Sequence, residues 1–255
     1  MTALMGLSSR LKVAKLHLIT DVRTTQGDFR DFVVEALRGG VDLLQVRDAD
    51  ATPEQLLAAL EIAQSAALQL NATVVVGNDL AVARTFGADV LHLGAADESI
   101  LAARTALPEH SLVGRSVHSA DQLRTAQADY LFVGPVFGGS RGGVDFPGLD
   151  LVREAAQREP LGERDATPWF AVGGIRPSTI EQVIGAGALR VAVSSAITVA
   201  DDPQATAAAL KQVLQQAWDD RPEMEGYALA AFGGGDAQFI NRNTIDPDTI
   251  DRDKL

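Results

Sequence analysis

The chain has 255 residues, 46% hydrophobic and 22% charged, enough to bury a core and ordinary for one globular domain. Its formal net charge of -12 argues against a nucleic-acid partner, because no basic surface is at hand to release phosphate counterions; small anions, held by a few local N–H groups, remain possible ligands. The absence of cysteine excludes disulfides, thiolate metal sites and thiol nucleophiles, leaving oxygen or histidine as metal donors.

Met1 to Arg10 lacks the basic start and apolar run of a signal peptide, and no stretch of ~18 apolar residues follows, so a soluble cytoplasmic protein without membrane contact is expected. From there, short β-rich runs alternate with alanine- and leucine-rich segments of helical period. Strands are expected at 16–20, 43–47, 73–76, 90–93, 112–116, 130–133, 169–172 and 190–193. Helices are signalled at 53–70, 100–106, 120–126, 177–186 and 203–218, several opening on Ser, Thr, Asp or Pro. This regular succession points to an α/β fold, a (β/α)8 TIM barrel within residues 1–218, with an open doubly wound sheet as the alternative.

From about Asp219 the chain turns acidic and rich in Gly and Asp, with Gly233-Gly234-Gly235 and Asp246-Pro247-Asp248 and no sustained amphipathic period. That composition reads as a flexible extension, residues 219–255, in which Tyr227, Phe232, Phe239 and Ile240 are the available anchors. A homo-oligomer is left open.

In a barrel the carboxyl ends of the strands carry the chemistry. Gln45 and Arg47 end the second strand on the same side, since side chains alternate. Asn78 and Asp79 follow the third and Asp97 the fourth. Two aspartates and no soft ligand suit a hard cation such as Mg²⁺, which takes one or two carboxylates and completes its shell from water and phosphate; a helix cap is the plain alternative for each. Ser116 and His118 end the fifth strand, where an imidazole can carry protons near neutral pH or simply cap the next helix. Ser140 and Arg141 follow the sixth. Gly173-Gly174 and Ser194-Ser195, after the seventh and eighth, are small pairs that let backbone N–H groups approach a phosphate, or serve turns alone.

These residues occur within a longer ordered set. Leu16-His17-Leu18-Ile19-Thr20-Asp21, Gly39-Gly40-Val41-Asp42-Leu43-Leu44-Gln45-Val46-Arg47-Asp48, Asn78-Asp79, Val90-Leu91-His92-Leu93-Gly94, Gly114-Arg115-Ser116-Val117-His118, Gly134-Pro135-Val136-Phe137 and Ala171-Val172-Gly173-Gly174-Ile175 together resemble the thiamine phosphate synthase family. The resemblance spans roughly residues 14 to 215. It implies an Mg²⁺-dependent transferase that joins a pyrimidine methyl diphosphate to a thiazole phosphate. Gln45, Arg47 and Asn78 would then hold the pyrimidine diphosphate, Asp79 and Asp97 the Mg²⁺, and Gly174, Ser194 and Ser195 the thiazole phosphate. Ser116 would sit at the reacting end, with Ser140 and Arg141 in phosphate-gripping places.

Three positions depart from the family pattern: Ala49 where a Lys is usual, Leu80 where an Arg is usual, and Gly138-Gly139-Ser140-Arg141-Gly142 where two threonines and a lysine are usual. A thiazole phosphate tautomerase of the same scaffold, relying on a His at position 118, and a non-catalytic thiamine-phosphate-binding paralogue are the alternatives. Retention of both aspartates favours the synthase.

Overall fold

The computed structural model describes residues 6–138 and 146–231. A short helix, α1 (Leu7–Val13), precedes strands and helices in alternation: β1 (Leu16–Thr20), α2 (Phe29–Arg38), β2 (Leu43–Val46), α3 (Pro53–Leu70), β3 (Thr73–Gly77), α4 (Leu80–Phe86), β4 (Val90–Leu93), α5 (Ile100–Ala106), β5 (Leu112–Val117), α6 (Ala120–Thr125), β6 (Tyr130–Val133), α7 (Gly148–Arg158), β7 (Trp169–Val172), α8 (Ile180–Gly185) and β8 (Val191–Val193). Three helices follow: α9 (Ser195–Thr198), α10 (Pro203–Asp219) and α11 (Glu223–Ala231). Each strand runs parallel to its neighbours, and β8 pairs back onto β1 through His17 opposite Ala192, so the sheet is a closed (β/α)8 barrel. Closure disposes of the open-sheet alternative.

The strands read as continuous apolar runs because both of their faces are buried. Alternation then sorts the side chains into two cores. Leu44, Val46, Val74, Val76, Leu91 and Leu93 face outward into the layer shared with helix residues such as Leu60 and Ala63. Leu43, Val75, Val90, Tyr130, Phe132, Phe170 and Ala192 fill the barrel, and Leu11 and Ala14 join them, so α1 plugs the amino-terminal end. Local signals agree with this packing. Thr52 accepts from Gln55 N at 3.3 Å while the Gln55 side chain accepts from Thr52 N at 2.8 Å, a reciprocal cap that starts α3 at Pro53.

Several boundaries differ from expectation, those of β2 and α8 among them. β2 ends at Val46, leaving Arg47 just beyond the strand, and α8 begins at Ile180 because Thr179 spends its N–H and its hydroxyl on the Arg176 carbonyl, at 2.9 and 3.2 Å. The acidic extension also begins as structure. Met224 and Tyr227 of α11 are buried with Trp218 and Leu189, and Arg190, just before β8, donates to Tyr227 Oη at 3.3 Å and to the Lys12 carbonyl at 2.7 Å, tying α11 and α1 to the entry of that strand. Two anchors on a single helical turn make too short a stripe to register as periodicity. Phe232, Phe239, Ile240 and the glycine run lie outside the described residues, as do Ser140 and Arg141. Among the described residues no helix is long and apolar enough to cross a membrane.

Candidate active site

At the carboxyl-terminal mouth, Arg47, Asn78 and Asp97 form one hydrogen-bonded unit. Arg47 Nε donates to Asn78 Oδ1 at 2.7 Å; Asn78 Nδ2 donates to Asp97 Oδ2, which also accepts from Gly94 N at 2.6 Å. Asn78 holds a left-handed backbone, φ 62°, a conformation asparagine tolerates better than most residues, and its N–H donates to the His92 carbonyl at 2.8 Å. Among the described residues the two terminal nitrogens of Arg47 make no hydrogen bond or ion pair, so the guanidinium is anchored at one edge and free at the other.

Asp79 caps α4, its Oδ1 accepting from Val82 N at 2.8 Å. Both readings of this residue thus remain compatible, because one carboxylate oxygen caps and the second has no partner among the described residues. Asp97 likewise uses a single oxygen. Among the described residues no cluster of three His, Asp or Glu side chains could cage a metal. Asp79 and Asp97 stand in the successive loops after β3 and β4, and carboxylate oxygen is the donor chemistry that suits a hard cation drawing the rest of its shell from water and phosphate rather than an all-protein zinc site.

Beneath the mouth the barrel interior is unexpectedly polar. The register turns His17, Gln45, His92, Ser116, Tyr130 and Phe132 inward. His92 Nε2 lies 2.9 Å from Ser116 Oγ and its Nδ1 lies 3.2 Å from Tyr130 Oη. The imidazole also stacks on Phe132 with ring centroids 3.8 Å apart. Burial pushes its pKa well below the ordinary histidine value, helped by His17, Arg115 and Arg47. His17 is driven down to about 3, again by burial. Gln45 is its polar neighbour, short of hydrogen-bond geometry, and both His17 nitrogens and Gln45 Oε1 lack a partner among the described residues. The alternation in Leu91-His92-Leu93 and Leu16-His17-Leu18 is the signal that could have found these two histidines, since leucine outward implies histidine inward.

His118 stands exposed on the rim, its Nδ1 donating to the Gly134 carbonyl at 2.6 Å. That bond leaves Nε2 as the available nitrogen. Gly173 and Gly174 have φ of 108° and 63°, and a Cβ on Gly173 would stand 2.6 Å from Pro135 Cβ. Their backbone accordingly packs against the loop after β6, with Phe137 N donating to the Gly173 carbonyl at 2.8 Å, so packing as well as turn geometry demands glycine here. Ser194 and Ser195 are exposed at the start of α9, in the loop after β8.

The family model described as thiamine monophosphate synthase matches residues 16–197. The chain belongs to this family. It is 44% identical over 223 residues to the thiamine-phosphate synthase of Mycobacterium tuberculosis, covering 82% of this chain and 98% of that one. Against the Saccharopolyspora erythraea protein of the same name it is 42% identical over 219 residues, covering 82% and 96%. Among solved structures, thiamine phosphate pyrophosphorylase from Pyrococcus furiosus superposes with a TM-score of 0.70 at 27% identity, over 82% of this chain and 98% of that one. Within the family frame, the residues brought together at the mouth are Arg47, Asn78 and Asp97, with Gln45 and Ser116 on the floor below. His92, Tyr130 and His17 are the polar residues added by the fold.

Proposed function

We propose that the chain condenses a hydroxymethylpyrimidine diphosphate with a thiazole phosphate to give thiamine phosphate and diphosphate, acting as a transferase. Family membership along nearly the whole length of relatives bearing that name carries the reading. In this reaction the methylene–oxygen bond to the diphosphate breaks and the thiazole nitrogen supplies the pair for the new carbon–nitrogen bond. Nitrogen loses no proton, so acid–base demand is small, and the protein must chiefly stabilise the departing anion and align the nucleophile.

Arg47, held through Nε by Asn78, offers its free edge to the diphosphate oxygens as a fork. Gln45, whose buried Oε1 has no partner among the described residues, is suited to the pyrimidine's polar edge. Asp79 and Asp97 would hold Mg²⁺; when bound, the ion neutralises charge on the leaving diphosphate. Gly174, Ser194 and Ser195 would take the thiazole phosphate through N–H and hydroxyl donors. Ser140 and Arg141 join the phosphate set on sequence position alone.

The deciding experiment supplies both substrates and measures diphosphate release with and without Mg²⁺. Release that requires both substrates and the ion is the expected result. Conversion of thiazole phosphate alone, abolished by His118→Ala, would instead identify the tautomerase, and binding of thiamine phosphate without turnover would identify the paralogue.

A further inference from the structure

A serine 2.9 Å from a histidine nitrogen invites reading as a nucleophile beside its base. The surroundings of His92 point the other way. We propose that Tyr130 and His92 form a hydrogen-bond relay of fixed polarity, running from Tyr130 through His92 to Ser116, which makes Ser116 a hydrogen-bond donor toward the substrate.

Tyr130 sets the polarity. Its side chain is fully buried, and the single hydrogen-bond partner of its hydroxyl among the described residues is His92 Nδ1. Burial also raises the phenol's pKa well above its usual value, so the hydroxyl keeps its proton. That proton needs an acceptor, because a buried donor left unpaired is costly. A neutral imidazole carries one N–H and one lone pair. With the proton on Nδ1, both His92 and Tyr130 would present hydrogens to each other's space and the Tyr130 proton would have nowhere to go. With the proton on Nε2, Tyr130 donates to Nδ1, Nε2–H donates to Ser116 Oγ, and every donor is satisfied. Ser116 then accepts from His92, and its own hydrogen is directed at whatever occupies the mouth.

Two further features sustain this arrangement. A Cβ at position 114 would overlap the Tyr130 ring, so Gly114 is the opening through which the phenol reaches His92. Phe132 stacks on the imidazole and fixes its plane. Ser116 is thus the group that meets substrate, offering a hydrogen to an acceptor atom, while His92 and Tyr130 are positioning residues. The kinetic part of the proposal rests on the transferase reading; the polarity does not.

Nitrogen NMR of histidine-labelled protein, with His92→Gln used to assign the His92 signals, reads the tautomer directly. A protonated Nε2 beside an acceptor Nδ1 is expected, and a protonated Nδ1 overturns the relay whatever the enzyme's activity. His92→Gln tests the consequence, because an amide can accept from Tyr130 through oxygen and donate to Ser116 through nitrogen but cannot act as a base. Its kcat is expected within about threefold of wild type, whereas loss of a general base would cost about 100-fold or more. Such a loss in a folded His92→Gln protein overturns the proposal. Tyr130→Phe removes the donor that holds Nδ1 and should leave KM within about twofold while lowering kcat about tenfold; wild-type kcat in a folded Tyr130→Phe protein would also overturn it.

Discussion

Asn78 sits between opposite charges, its carbonyl oxygen accepting from Arg47 Nε at 2.7 Å and its amide nitrogen donating to Asp97. An amide can satisfy a cation and an anion at once, accepting through its oxygen and donating through its nitrogen. The arrangement keeps the guanidinium and the carboxylate from collapsing into an ion pair with each other. Each is then left with spare valence toward the mouth.

Replacing Asn78 by alanine removes both bonds and leaves a non-glycine residue at φ 62° without the amide that favours it. Each lost charge-assisted hydrogen bond is worth about 1.5–3 kcal/mol, so kcat/KM for diphosphate release should fall by about one to three decades. Asn78→Asp should be as poor, since it sets a carboxylate against Asp97. Steady-state kinetics with both substrates checks this, and wild-type kcat/KM in Asn78→Ala would show the unit to be irrelevant to catalysis.

Asp79 has two possible jobs that a single substitution separates. Asparagine caps helices about as well as aspartate, so Asp79→Asn should preserve the bond to Val82 N and leave the melting temperature nearly unchanged. Its loss of charge should weaken Mg²⁺ activation by about tenfold or more in the half-saturating concentration. Asp79→Ala should lose both, with about 1 kcal/mol of stability going with the cap. Identical Mg²⁺ titrations of wild type and Asp79→Asn would remove Asp79 from the metal site.

The buried histidines set an acid limit. His17 titrates at about 3 in the fold and His92 well below its usual value, whereas both take up protons near 6.5 when unfolded. Because the folded pKa is the depressed one, the unfolded chain binds more protons between about 6.5 and about 3. Stability from these groups is complete above about 6.5 and is lost as pH falls through that window, at up to about 2.7 kcal/mol per pH unit for the two together. In His17→Phe the slope should drop by about 1.4 kcal/mol per unit. Urea unfolding at pH 6.5, 6.0 and 5.5 measures it, and equal slopes in the two proteins would contradict the burial argument.

Much of this was legible in sequence for a physical reason. Strands buried on both faces leave dense apolar runs, and reciprocal signals such as Thr52 with Gln55 mark a helix start to the residue. The mouth residues were legible because strand ends in a barrel converge by topology. Gly173-Gly174 was only half legible: sequence suggests anion access, whereas the fold also spends the missing side chains on the close approach of Pro135 and Phe137. His92, Tyr130 and Gly114 escaped because their relation is between strands, and depends on a register that one chain segment cannot display. Tyr227 was legible as an anchor of the extension, but Met224 and the partners Arg190 and Trp218 were not, because those partners lie outside the segment.

The amino-terminal end of the barrel holds a buried cation. Lys15 is 7% exposed and lines a cavity of about 650 Å³ with Trp218, Lys211 and Asp42. Its ammonium bonds the Val13 carbonyl at 3.2 Å and lies 4.1 Å from the Trp218 ring centre. These contacts do not compensate for burial, which, with Lys211 adding to it and Asp42 opposing, lowers the pKa from 10.5 to about 8. The folded state therefore binds fewer protons than the unfolded one between about 8 and 10.5, so this group makes stability rise with pH across that interval. At pH 7 the charge is a net cost. Lys15→Met keeps the length and apolar stem without the charge, and should gain about 1–3 kcal/mol at pH 7 while flattening the alkaline rise. Urea unfolding of both proteins at pH 7 and pH 9.5 decides the matter: a variant less stable than wild type at pH 7 would mean that the Trp218 and Val13 contacts outweigh desolvation.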